Sequence, residues 1–310
     1  GDLAGNLTGQ VRLDEGGEIN LLGNLQGQGW EASVISDRLA LSQFSQLIEK
    51  QEAAAPAVNG IQQARSLLGQ RSSAPILSGF LDGEVNISGS SVTNFSPEAI
   101  RATGNLGVSE LPVLLQPFDT AFNWNGDRLQ IEKATTPGFF ASGIVDIDFP
   151  GEATPGEATP GETTEVSNID INLEMSDFDF ESLPQQQLLN TDSSILIGLL
   201  NFDGKIRGNL ENLRLAGDVL LENLTVNQIA FDPVLAGGLN LALNEGLDLQ
   251  LAGNNDRIEV ALDDEFFPSS FLVKLDEAIA KGVVSGEDLA VELDDFPLQA
   301  LQIVPVPNIG

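Results

Sequence analysis

Apolar and polar residues alternate along most of the chain. In the stretch LRLAGDVLLENLTV (213–226), four apolar side chains fall on one side of an extended backbone: Leu213, Leu215, Val219 and Leu221. The residues of opposite parity include the charged side chains Arg214, Asp218 and Glu222. Because successive side chains of a strand point to opposite faces, this pattern predicts a strand with one apolar and one solvated face. The parity changes at Glu222–Asn223, which predicts a turn before the alternation resumes at Leu224 and Val226.

The same period of two recurs in nine further segments. Their apolar positions are Leu3, Leu7, Val11 and Leu13; Leu81, Val85 and Ile87; Ile100, Ala102, Leu106 and Val108; Val145, Ile147 and Phe149; Ile169, Ile171, Leu173 and Met175; Leu239, Leu241 and Leu243; Leu247, Leu249 and Leu251; Ile258, Val260 and Leu262; and Leu289, Val291 and Leu293. Glycine and asparagine separate many of these segments, as hairpin turns require. The pattern therefore predicts an all-β chain, a mostly antiparallel meander with one apolar face.

Three stretches depart from the alternation. From 41 to 70 the apolar residues follow helical spacing with an interruption at 53–56, which predicts two short helices. A third short helix is predicted within 185–200, with Asp192 or Ser193 as its cap and 195–200 as its body. The segment PGEATPGEATPGETTE (150–165) has no apolar anchor, and we expect a flexible acidic loop there.

Charge and composition narrow the classes of function. The 310 residues include 46 acidic and 14 basic side chains, which gives a net charge of −32. With so few cations, the chain is not expected to bind nucleic acid or to dock electrostatically on anionic lipid headgroups. Cysteine, histidine and tyrosine are absent from the sequence, so it offers no disulfide and lacks the commonest acid–base side chain. We therefore expect neither an enzyme nor a cofactor.

The chain shows internal repetition and no targeting segment. The sequence contains no run of about 18 apolar residues, so it predicts no membrane-spanning helix. The chain begins at Gly1 without a signal-peptide pattern, so we expect a fragment of a longer protein.

A strand followed by phenylalanine and leucine recurs around Phe44, Phe178 and Phe296. This repetition predicts one continuous β array over 1–310, with approximate repeat units 1–78, 79–200 and 201–310.

Three segments carry a resemblance to a known family: FDGKIRGNLENLRLAGDVLLENLTV (202–226), FNWNGDRLQIEKATTPGFFASG (122–143) and VELDDFPLQAL (291–301). In their order and spacing they resemble the TamB family of AsmA-like envelope proteins, of a cyanobacterial or chloroplast type. The resemblance implies an elongated, mostly antiparallel sheet curled into a U-shaped groove, a β-taco, with a few short helices. It implies no catalytic residues.

The resemblance also implies a function and a location. Proteins of this family bridge the inner and outer membranes, where they carry phospholipid or assist the assembly of outer-membrane barrel proteins. The expected partners are phospholipid acyl chains and, through parts of the protein outside this chain, a TamA-type outer-membrane barrel protein. The expected location is the periplasm, with an inner-membrane anchor outside this chain, or the intermembrane space of a chloroplast.

The apolar face of the sheet is the candidate binding site. If the sheet curls, this face lines a groove in which each buried methylene of an acyl chain contributes about 0.8 kcal/mol. The candidate residues are Leu213, Leu215, Val219, Leu221, Leu239, Leu241, Leu243, Leu247, Leu249, Leu251, Val85 and Ile87. The alternative is a dry β-sandwich with a permanently closed core, as in an extracellular or surface module of adhesin or surface-layer type.

Acidic clusters offer a second candidate chemistry. They lie at 177–181, 254–259, 262–265 and 293–296. Calcium prefers several carboxylate oxygens that converge in one loop. The sequence contains neither an EF-hand loop nor the glycine-rich nonapeptide of a calcium β-roll. We therefore interpret the clusters as solvated turns and predict no metal site.

Overall fold

Strands account for 77% of the residues that the structure describes. The computed structural model describes residues 4–13, 17–42, 79–91, 96–110, 117–149, 164–182, 196–285 and 288–296. Two single-turn 3-10 helices, Pro97–Ala99 and Phe180–Ser182, interrupt the strands. Within the part of the chain described, 18 strands form one antiparallel sheet that is not closed. The prediction of an all-β, antiparallel chain is confirmed.

Contacts divide the chain into two compact units. Of the described residues, those up to Ile171 belong to the first unit and those from Asn172 onward to the second. This division does not test the three predicted repeat units, which stay a prediction. Strand β9 (Glu165–Asp179) runs from the first unit into the second.

The first unit is a meander in which each strand pairs with the next. Its strands are β1 (Ala4–Arg12), β2 (Glu18–Gln26), β3 (Gly29–Ala40), β4 (Phe80–Gly89), β5 (Ile100–Ser109), β6 (Phe118–Trp124), β7 (Arg128–Thr136), β8 (Phe139–Asp148) and the beginning of β9. Buried apolar residues in this unit include Leu39, Ala134, Ala141 and Ile169. The pairing of β4 with β5 is typical: it runs without interruption from Phe80 opposite Ser109 to Gly89 opposite Ile100.

The second unit continues the same pattern. Its strands are the end of β9, β10 (Leu196–Gly208), β11 (Arg214–Val226), β12 (Ile229–Ala230), β13 (Val234–Ala242), β14 (Gly246–Ala252), β15 (Arg257–Leu262), β16 (Pro268–Leu275), β17 (Ala278–Ser285) and β18 (Asp288–Asp294). The short β12 pairs with the end of β11, and β13 pairs with the rest of it. Burial alternates along β13 and β14 with the predicted period of two, because one face is apolar and the other is solvated.

Two sequence predictions in the second unit are wrong. The expected turn at Glu222–Asn223 is a β-bulge inside β11, where the register with β10 shifts between Ile197 and Leu199. Asn223 has a positive φ of 53°, a conformation that asparagine tolerates better than most residues. The expected helix body at 195–200 is also wrong, because β10 begins at Leu196. A short apolar run is compatible with either a helix or a buried strand. This run is a strand because it pairs with β11.

The remaining local predictions lie largely outside the described residues. The two helices expected within 41–70 fall beyond position 42, where the description of that region stops. The acidic loop expected at 150–165 is described only from position 164, and Glu165 begins β9. Within the described ranges, no helix has the length and hydropathy needed to cross a membrane.

Candidate functional site

Ten of the twelve candidate residues lie together on one face of the second unit. We call them the leucine patch: Leu213, Leu215, Val219, Leu221, Leu239, Leu241, Leu243, Leu247, Leu249 and Leu251. The strand register places them in direct cross-strand rows, where side chains on one face stand about 5 Å apart. Leu215 is opposite Leu241, which is opposite Leu247. The backbone N–H of Leu243 donates to the carbonyl of Leu213 at 3.0 Å, which extends the same register beyond the strand ends.

The leucine patch is unequally buried. At one end of its strands Val219, Leu221 and Leu251 are 7%, 8% and 2% exposed. They pack with residues outside the candidate set, Phe202, Leu224 and the fully buried Leu235. Towards the other end Leu215, Leu239, Leu241, Leu247 and Leu249 are only half-buried. The patch therefore grades from a dry core into partly accessible apolar surface.

Glycines set the shape of this apolar face. Gly217 and Gly237 share the parity of the leucine patch, and each replaces a leucine in a cross-strand row. A β-carbon on Gly237 would overlap the carbonyl oxygen of Gln250 in the adjacent strand. The ring of Phe202 lies over the bare backbone of Gly217, with its Cζ atom 2.8 Å from where a β-carbon would stand. Glycine in a strand allows close backbone approach, and aromatic cover of a glycine helps to fix the register of neighbouring strands.

The patch carries no ionisable chemistry. In β13, in β14 and in β11 as far as Leu221, every residue with the parity of the patch is leucine, valine or glycine. Among the described residues, no three acidic side chains stand close enough together to hold a metal ion. The surface can therefore contribute apolar contact and shape, and it offers no group for proton transfer or coordination.

Two carboxylates tie together the turns beside the buried end of the patch. We call this pair, Asp232 and Asp256, the carboxylate clasp. Asp256 is buried, and its side chain accepts from the backbone N–H groups of Asp232 at 2.6 Å and Asp276 at 2.9 Å. Asp232 accepts from the N–H groups of Asn255 at 2.7 Å and Asp256 at 3.0 Å. These backbone hydrogen bonds hold the pKa of Asp232 below its ordinary value, because they stabilise the ionised carboxylate.

The other two candidates, Val85 and Ile87, lie in the first unit. Both are on β4 and both are half-buried. Val85 is opposite Val34 and Gly104, while Ile87 is opposite two alanines, Ala32 and Ala102. They belong to the apolar face of that unit.

Sequence reasoning missed three residues that anchor the buried end. Phe202 is opposite Val219 and Leu235 is opposite Leu221, so both lie on the face of the leucine patch. Phe202 precedes the segment in which the alternation was noticed, and Gly237 interrupts the alternation after Leu235. Leu224 has the opposite parity, and it reaches the same cluster because the bulge at Asn223 reverses the alternation. The change of parity at 222–224 was the sequence signal that could have identified Leu224 as part of this cluster.

The fold and the patch together define an open antiparallel β-sheet with one apolar face. Comparison of the chain with protein-family models, with curated proteins and with solved structures finds no match.

Proposed function

We propose that the leucine patch binds the acyl chains of phospholipids. On this proposal the chain is a segment of a TamB-type cell-envelope protein that carries lipid between the inner and outer membranes, assists the assembly of outer-membrane barrel proteins, or does both. The observation that supports it most is the combination of leucines in direct register with incomplete burial. A sheet that is not closed leaves such a face available to an apolar ligand.

The chemistry of the patch suits an acyl chain better than a polar ligand. An acyl chain has no hydrogen-bonding groups, so a binding surface of leucine and valine leaves nothing unsatisfied on either side. Each methylene moved from water onto the patch contributes about 0.8 kcal/mol. Half of the hydrocarbon core of a bilayer is about 15 Å thick. The seven residues from Leu215 to Leu221 span about 20 Å, but Val219 and Leu221 are buried, so an acyl chain has access to the half-buried end of this length.

A second candidate is a module whose apolar face is permanently closed. It is favoured by the buried end of the patch, where Leu235 is completely inaccessible and Leu251 nearly so. In such a module the half-buried leucines would also be structural, and an adhesin or surface-layer role would replace lipid transport.

Paired substitutions on two adjacent strands separate the candidates. Leu215→Asp and Leu241→Asp place a charge on directly opposed residues of the half-buried end. Ala216→Asp and Asn240→Asp place the same charge on the opposed neighbours that face solvent. Binding is measured with a phospholipid that carries a photo-reactive group on its acyl chain, and folding is measured by thermal melting.

We expect the two leucine variants to fold, melt slightly earlier and lose the cross-link, while both controls match the parent. Folded leucine variants that cross-link as well as the parent would contradict the proposal. Unfolded leucine variants beside folded controls would place these residues in a sealed core and favour the closed module, because an unpaired buried carboxylate costs several kcal/mol.

A further inference from the structure

Acidic turns lie at both ends of the leucine patch. Beside its half-buried end, the turns at 209–213, 243–245 and 263–267 carry the carboxylates Glu211, Glu245, Asp263, Asp264 and Glu265. Beside its buried end, the turns at 227–233, 253–256 and 276–277 carry Asp232, Asp256, Asp276 and Glu277. None of these described turns contains lysine or arginine.

The cations of the second unit point away from the patch. Its described residues include six basic side chains: Lys205, Arg207, Arg214, Arg257, Lys274 and Lys281. The strand register gives each of them the parity of the solvated face; Arg214, for example, pairs with Arg207 and Ala242. Arg214 forms an ion pair with Glu245, Arg257 with Glu259, and Lys281 with Glu292 at 3.0 Å. Although Glu245 is paired with Arg214, the turns at both ends of the patch carry more carboxylates than cations.

We infer that the leucine patch discriminates by headgroup charge: it accepts phospholipids without net charge and rejects anionic ones. This inference rests on the proposed function. An acyl chain on the half-buried leucines brings its headgroup close to the acidic turns at that end, because Leu215, Leu241 and Leu247 each lie two residues from such a turn. There the phosphate of an anionic lipid is repelled by the carboxylates. In a zwitterionic lipid the ammonium group offsets this repulsion and can itself pair with a carboxylate.

The test compares two lipids that differ only in headgroup. Phosphatidylcholine and phosphatidylglycerol with identical fluorescent acyl chains are titrated separately into the full chain. We expect phosphatidylcholine to bind at least about tenfold more tightly at low ionic strength, and the ratio to shrink in about 0.5 M salt as the charges are screened. Equal affinities, or a ratio that salt does not change, would overturn the inference while leaving the proposed function intact. Binding of neither lipid would overturn the proposed function, and the inference with it.

A variant with one uncharged turn tests whether the turn carboxylates cause the headgroup discrimination. The triple variant Asp263→Asn, Asp264→Asn and Glu265→Gln removes three charges beside the half-buried end. Its turn can still form, because an asparagine oxygen at 263 can accept the N–H groups of Glu265 and Phe267, as Asp263 does at 3.0 and 2.8 Å. The matched control, Asp203→Asn, Asp218→Asn and Asp248→Asn, removes three charges from the solvated face.

We expect the turn variant to gain severalfold affinity for phosphatidylglycerol with unchanged affinity for phosphatidylcholine, and the control to keep the ratio of the parent. An equal gain in both variants would assign the discrimination to the net charge of the chain and overturn the role of the turns. No gain in either variant would overturn it as well.

Discussion

Substituting alanine at two leucines of one strand tests the burial gradient on which the proposed function depends. Leu235 and Leu239 lie on the same face of β13, and Leu235 is fully buried while Leu239 is half-buried. Leu→Ala removes about three carbon groups, worth about 2.4 kcal/mol at full burial, and a rigid site adds the cost of the cavity. Leu235→Ala should therefore lower the free energy of unfolding by about 3–4 kcal/mol, and Leu239→Ala by about 1 kcal/mol.

Urea unfolding followed by far-ultraviolet circular dichroism measures both values. The tryptophans, Trp30 and Trp124, are in the first unit, so their fluorescence reports on that unit in the same sample. Equal losses of about 3 kcal/mol at both positions would refute the gradient and show a core that is closed throughout. Equal losses below about 1 kcal/mol would refute the packing of Leu235.

Three further predictions concern the carboxylate clasp and the glycines. Asp256→Ala should cost about 2–3 kcal/mol in urea unfolding, since it removes the charged acceptor of the N–H groups of Asp232 and Asp276, and Asp256→Asn should cost less; equal costs would mean that the carboxylate is not the acceptor. Because the pKa of Asp232 lies below its ordinary 3.8, its stabilisation is present above that value and is lost as pH falls through the lowered pKa. Asp232→Asn should flatten the acid limb of melting temperature against pH, and an unchanged limb would count against this linkage. Gly237→Ala should cost about 1–3 kcal/mol because its β-carbon meets the Gln250 carbonyl. Gly238→Ala should be close to neutral in the same melting assay, because its β-carbon would stand 3.8 Å from its nearest neighbour, the carbonyl oxygen of Gly217.

Alternation alone predicted most of the strands and the leucine patch. A period of two assigns each side chain to a face, and antiparallel neighbours then bring equivalent leucines together, as with Leu215 and Leu241. The same reasoning could not identify the bulge, because a change of parity at Asn223 is compatible with either a turn or an extra residue within a strand. It also misassigned the start of β10.

The carboxylate clasp was not predictable from local pattern. Asp232 and Asp256 are separated by two strands in sequence. They meet only because β13 and β14 run in opposite directions and return the chain to the same end of the strands. Aspartates in turns are ordinarily solvated, which was the interpretation of the cluster at 254–259. The degree of burial was likewise out of reach, since the same leucine pattern occurs at the buried and half-buried ends of the patch.

Pairing between sequence neighbours has a consequence for how the protein is made. Apart from the short β12, each strand of the second unit from β10 onward needs only the strand before it and the strand after it. Contacts that are close in sequence close small loops, so their entropic cost is low and their formation is fast. The sheet can therefore assemble strand by strand in the order in which the ribosome releases it. Duplication or loss of a complete hairpin would also preserve the facing of every later strand, which gives this architecture a simple way to change length during evolution.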